Sequence, residues 1–126
     1  MVSQIAAVGI GAALGAWLRW CLATWLNPKL PSFPLGTLAS NLVGGYLVGL
    51  AVAFFAARGD VPEAWRLFVI TGILGGLTTF STYSAEVTGL LMRGAYGNAA
   101  VLALTHVAAS IALTIAGFAT FQLLTR

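Results

Sequence analysis

The sequence predicts an all-α integral membrane protein, one domain of four transmembrane helices over residues 1–126. Three observations carry that prediction. Apolar residues make up 60% of the chain and charged residues only 7%, with a mean hydropathy of +0.96. A soluble domain carries about 25% charged residues, so lipid must be the solvent for most of this surface. Four apolar stretches, 3–26, 35–57, 66–92 and 98–124, reach the roughly 20 residues that a helix needs to cross a bilayer core. All four prolines fall between these stretches, where a missing backbone donor breaks no helical hydrogen bond.

The totals also exclude some classes. Six Lys and Arg against three Asp and Glu give a net charge of +3. The cations are scattered, so no nucleic-acid footprint is expected. Cys21 is the only cysteine, which rules out an intrachain disulfide and suggests no zinc site. The N-terminus lacks a basic n-region and an obvious small-residue cleavage site, so the first apolar stretch is expected to stay as a helix.

The first span, 3–26, places Trp17, Trp20 and Trp25 towards its end, with Trp65 and Tyr96 near other span ends, as an aromatic belt requires. It carries Gly11-x-x-x-Gly15 and, seven residues before Asn27, Arg19. That spacing puts Arg19 about 10 Å deep. Arg19 has two readings: it snorkels to the headgroups, or it is a fixed cation at the mouth of an anion path. The link Asn27–Pro34 holds three prolines and leads to the second span, 35–57. There Asn41 lies about as far from the link as Arg19, with Thr37 one turn earlier on the same face. One cation and nearby amide donors would attract a small anion.

The third span, 66–92, is long. Twenty-seven residues at about 1.5 Å each reach about 40 Å, more than the hydrocarbon needs. Tilt absorbs such an excess. A break at Gly75-Gly76-Leu77-Thr78-Thr79 is the other answer, since two poor helix formers precede two β-branched hydroxyl residues. Freed carbonyls are tolerated at membrane depth only when buried in protein, facing water or holding an ion, so a break there reads as a site. Thr78, Thr79, Ser81, Thr82 and Ser84 follow closely, and Phe80 and Tyr83 share a helix face. Ring edges are the positive part of the aromatic quadrupole and could help replace the water of a small anion. The plainer reading is a core aromatic pair, with hydroxyls bonded to their own i−4 carbonyls. Glu86 accepts from Thr82, pairs with a cation across a dimer, or is simply solvated.

The fourth span, 98–124, carries His106, Ser110 and Thr114 four residues apart, hence as one stripe. His106 alone reads as a hydrogen-bonded core residue; Ser110 and Thr114 either line a path or bond a neighbouring helix. The chain shows no Ser/His/Asp set, phosphate loop, carboxylate pair or metal-ligand cluster, so no enzyme activity is expected.

Orientation is nearly balanced. Arg58, Arg66 and Arg126 belong to one side, Lys29 and Arg93 to the other, with Arg19 deeper on that second side. Because Lys and Arg bias sets topology, the near tie predicts insertion both ways round and permits an antiparallel, dual-topology homodimer. The pairs Gly11/Gly15, Gly45/Gly49 and Gly72/Gly76 provide close helix contacts, either within a subunit or between subunits.

Three blocks resemble the Fluc (CrcB) fluoride channels: Gly11-x-x-x-Gly15-x-x-x-Arg19-Trp20, Gly36-Thr37-Leu38-x-x-Asn41-Leu42, and Gly75-Gly76-Leu77-Thr78-Thr79-Phe80-Ser81-Thr82-Tyr83-Ser84-x-Glu86. The likeness covers the whole chain, and its third block is long and specific. It implies a dual-topology antiparallel homodimer with two fluoride pores, which releases fluoride passively across the cytoplasmic (inner) membrane of a microbe. It places Phe80 and Tyr83 as pore-lining rings and Asn41 and Arg19 in a polar vestibule, the region to which helical spacing already assigns Thr37. Ser81, Thr82, Ser110 and Thr114 become candidates for a polar track. It also implies a structural sodium ion (Na+) at the dimer centre, held by the backbone carbonyls of Gly75 and Thr78 from both subunits. One departure stands out: the family pattern is Phe-Ser-Thr-Phe-Ser, and here Tyr83 takes the second aromatic position, adding a hydroxyl that needs a partner when buried.

Two rivals fit less well. A small multidrug-type cation/proton antiporter needs an acid in its first helix, where this chain has Arg19 and no acid before Asp60. A non-transporting scaffold subunit explains the hydrophobicity and the glycine pairs, but not a glycine-rich stretch flanked by hydroxyls and aromatics.

Overall fold

A computed structural model describes all 126 residues. Helix α1 runs Val2–Leu26 and ends in a 3-10 turn, Asn27–Lys29; α2 runs Leu35–Ala57. The third span starts as the short α3 (Glu63–Arg66), continues as a π-helix (Leu67–Leu74) and then as α4 (Gly75–Leu77). After Thr78 and Thr79 it proceeds as α5 (Phe80–Met92), and α6 (Tyr96–Leu124) completes the chain. Four segments are long and apolar enough to cross a membrane: Val2–Lys29, Leu35–Ala57, Glu63–Met92 and Tyr96–Leu124.

The third and fourth of these start slightly earlier than hydropathy alone suggests, and local chemistry explains both. Pro62 sits at the N-cap of α3 with φ −55°, and Glu63 occupies the first turn. Proline restricts the chain to a geometry that suits a helix start, and a carboxylate there favours the positive end of the helix dipole. Gly94 adopts φ 74°, the left-handed conformation that closes a helix at little cost for glycine, so α6 can begin at Tyr96.

The outer surface is apolar. Only 18 of 126 residues are buried within the chain, while Trp17, Leu104 and Ile115 are each more than 60% exposed. Such a surface is stable only against hydrocarbon or another protein.

Helices approach each other through glycine. A Cβ on Gly11 would meet Phe68 O at 2.5 Å and Gly72 Cα at 2.9 Å, and one on Gly76 would meet Ala12 O at 2.5 Å. Gly15 faces Ile73 O and Leu77 N, so α1 lies backbone to backbone along the π-helix and α4. In the same way, Gly45 and Gly49 pack on Ser110 and Thr114 of α6, and Gly117 packs on Tyr46 of α2. All three glycine pairs are therefore used inside one chain. Polar clasps fix the ends: Gln4 Nε2 donates to Glu63 Oε2 at 2.8 Å, and Gly36 N donates to Asn27 Oδ1 at 2.7 Å.

Candidate functional site

The polar centre of the molecule forms around Thr78 and Thr79. Thr78 (φ −82°, ψ 155°) and Thr79 (φ −154°, ψ 113°) are extended between α4 and α5. A β-branched residue loses little in an extended backbone, but the helical bonds given up must be replaced. Asn41 of α2 supplies two of them. Its Oδ1 accepts from Thr79 N at 2.7 Å, and its Nδ2 donates to Thr79 O at 3.0 Å.

This pair of hydrogen bonds orients the amide, and the orientation has a consequence for α6. Asn41 Nδ2 also lies 3.1 Å from His106 Nδ1. An amide nitrogen is only a donor, so Nδ1 accepts and a neutral His106 carries its proton on Nε2. His106 is 3% exposed and its Nε2 has no partner. The centre thus holds one buried N–H donor that nothing in the chain uses.

The start of α5 is capped by Thr79, whose Oγ1 accepts from Thr82 N at 3.1 Å and donates to Thr82 Oγ1 at 3.0 Å. Ser81 Oγ lies 3.3 Å from the same hydroxyl. On the other side, Arg19 Nε donates to Gly76 O at 2.9 Å. In an uninterrupted helix Thr79 N would serve Gly75 O and Thr82 N would serve Thr78 O. Both amides are diverted here to side-chain oxygens.

A cavity of about 370 Å³ opens beside this centre, lined by Asn41, Gly45, Thr78, Thr79, Phe80, Tyr83, His106, Ser110 and Thr114 among others. Phe80 is 76% exposed, and its ring centroid lies 5.3 Å from that of Tyr83, tilted by 59°. Tyr83 in turn leans on the His106 ring at 4.6 Å and donates its hydroxyl to Ala103 O at 3.4 Å. The extra hydroxyl of Tyr83 therefore turns to α6. Thr114 Oγ1 lies 3.0 Å from Gly45 O and 2.9 Å from Ser110 O, so its proton is held by carbonyls. Ser110 enters these bonds only through its backbone carbonyl.

A second cavity, about 310 Å³, lies further along α5, lined by Pro31, Ser32 and Pro34 of the first link and by Thr82, Glu86 and Arg93. Here Thr37 is the donor to Glu86: its Oγ1 bonds Oε1 at 2.5 Å, while Thr82 is engaged with Thr79. Glu86 Oε2 is buried without a partner.

The predicted residues are thus divided. Asn41, Phe80, Tyr83, Ser110 and Thr114 line one cavity; Thr82 lines the other. Thr37 belongs with Glu86, Arg19 with Gly76, and Ser81 is exposed beside Thr79. His106 is the hydrogen-bonded core residue that the sequence suggested; what sequence reasoning missed is its place in the cavity wall, although its stripe with Ser110 and Thr114 was the available signal.

The family described as "CrcB-like protein, Camphor Resistance (CrcB)" matches residues 6–118. Among relatives, a protein of Thiobacillus denitrificans named "Fluoride-specific ion channel FluC" is 56% identical over 118 residues, 94% of this chain and 95% of the relative. Proteins of the same name from Nitrosospira multiformis and Burkholderia pseudomallei are 52% identical over 118 residues and 56% over 114. These alignments cover 94% and 90% of this chain and 92% and 89% of those relatives. With a family match across most of its length and relatives this similar, the chain belongs to the CrcB-like family.

Proposed function

We propose that this protein is a fluoride-selective channel, not an enzyme, through which fluoride leaves the cell passively and toxicity is averted. The observation that carries this reading is the cavity where Asn41, His106, Ser110 and the Phe80 and Tyr83 rings converge. Fluoride holds its water tightly, and burying an ion without compensating donors is prohibitive. The unused Nε2–H of His106, the Ser110 hydroxyl and the ring edges are the compensating groups. Ser81, Thr82 and Thr114 extend the polar track, Thr37 fixes Glu86, and Arg19 contributes a positive charge beside Gly76 O.

The working form is an antiparallel, dual-topology homodimer in the cytoplasmic (inner) membrane of a microbe. Balanced Lys and Arg support that orientation. So does the exposed polar face of the third span, where Thr71, Gly75, Ser81, Ser84 and Thr88 point away from the chain's own helices. Lipid tolerates interrupted backbone poorly, and a second copy would cover it. The Gly75 and Thr78 carbonyls, whose helical donors are diverted, suit a sodium ion (Na+) at the dimer centre. Oxygen donors fit such a hard cation, and the ion would supply the positive charge those carbonyls lack.

The test is ion release from liposomes holding the purified protein, read with fluoride and chloride electrodes in parallel. Fast fluoride release with little chloride release is expected. Release of neither ion from folded protein would leave the scaffold reading, and proton movement driven by an organic cation gradient would favour the antiporter.

Tyr83→Phe is expected to keep fluoride flux within about twofold of the parent. Its hydroxyl makes one long bond, of the class worth about 1 kcal/mol, and the ring contacts remain. A loss of flux in liposomes would show that the tyrosine hydroxyl itself serves the ion.

A further inference from the structure

We propose that Arg93 is the charge that keeps the 310 Å³ cavity open to anions, by offsetting Glu86 at its mouth. This rests on the channel reading. Both residues line that cavity: Glu86, Gly89 and Leu90 follow one face of α5, and Arg93 is the residue that caps its C-terminal end. They are not an ion pair: Glu86 Oε1 takes Thr37 and Oε2 has no partner. The other two carboxylates, Asp60 and Glu63, belong to the opposite membrane end, so no carboxylate in the chain neutralises Arg93.

The cavity matters because Thr82 lines it and is bonded to Thr79, which lines the 370 Å³ cavity. Polar groups thus connect the membrane surface near the first link to the centre. An anion on that route passes a carboxylate, and an unopposed carboxylate would empty the approach. An unpaired guanidinium two turns along the same helix restores the balance. A unit charge about 5 Å away through water changes local ion concentration about fourfold. Salt shortens the reach of such a charge from about 30 Å at 0.01 M to about 3 Å at 1 M.

The experiment is fluoride flux from liposomes at subsaturating fluoride, with ionic strength raised from about 0.01 M to about 1 M by an impermeant salt. Arg93→Gln should cut flux about fourfold at low salt and match the parent at high salt. Arg93→Lys should behave as the parent, and so should Arg58→Gln, whose charge sits over Phe54 and lines neither cavity. Equal flux for Arg93→Gln and parent at low salt overturns the proposal, as does a reduction that salt leaves unchanged. A parent protein that releases no fluoride overturns the channel reading and this inference with it; a conducting parent isolates the role of Arg93.

Discussion

Asn41→Asp is expected to abolish fluoride flux, by roughly a thousandfold, while leaving a protein that still inserts and can be purified. The substitution is nearly isosteric and keeps the oxygen that accepts from Thr79 N. It exchanges the other half of the amide for a carboxylate oxygen, which then faces Thr79 O, an acceptor, and His106 Nδ1, which can donate to it only if the imidazole proton leaves Nε2. For an anion in the neighbouring cavity the effect is larger than a lost bond. Two like charges 4 Å apart at an effective dielectric of 20 repel by about 4 kcal/mol, close to a factor of a thousand in occupancy. Liposome flux of parent and variant, normalised to incorporated protein, measures it directly. Undiminished flux would remove Asn41 from the ion's route and leave it a purely structural clamp on Thr79.

Much of this was legible in the sequence because membrane physics is written in single-residue chemistry. Four spans followed from hydropathy and from prolines confined to links, since hydrocarbon admits few other solutions. The polar stripe of His106, Ser110 and Thr114 followed from helical spacing. What stayed hidden depended on residues distant in sequence. The composition of 75–79 marked a region, but the identity of the extended pair depends on Asn41, 38 residues earlier. Glu86 had a nearby hydroxyl in Thr82, yet its partner is Thr37, 49 residues away. The π-helix at Leu67–Leu74 was not legible because its residues, LFVITGIL, read as any apolar membrane helix does. The use of the glycine pairs was also undecided until the crossings were seen. Glycine spacing states that something comes close without stating what.

Those crossings set the second large effect, which tests the fold without reference to any ion. Gly15→Ala should destabilise the protein by about 3 kcal/mol, the upper end of the usual cost of overpacking. Its methyl would run into Ile73 O and, at 2.7 Å, Leu77 N. Both obstacles are backbone, so no rotamer change relieves them. Gly9→Ala on the same helix is the control, because nothing lies within 4 Å of a Cβ there. Alanine at that exposed position should instead be neutral or gain up to about 1 kcal/mol from helix propensity. The fraction of each protein that elutes intact by size-exclusion chromatography after graded heating in detergent would compare them. The consequence reaches the polar centre, since α1 also carries Arg19, whose Nε bonds Gly76 O. A methyl that lifts α1 from the π-helix and α4 must stretch that bond and release a carbonyl two residues before the extended pair. Equal heat resistance of the two variants would mean that the glycine contact does not hold α1 in place. The position of Arg19 would then depend on its own bond to Gly76, and Arg19→Gln, rather than Gly15→Ala, would be the change that loosens the first span from the third.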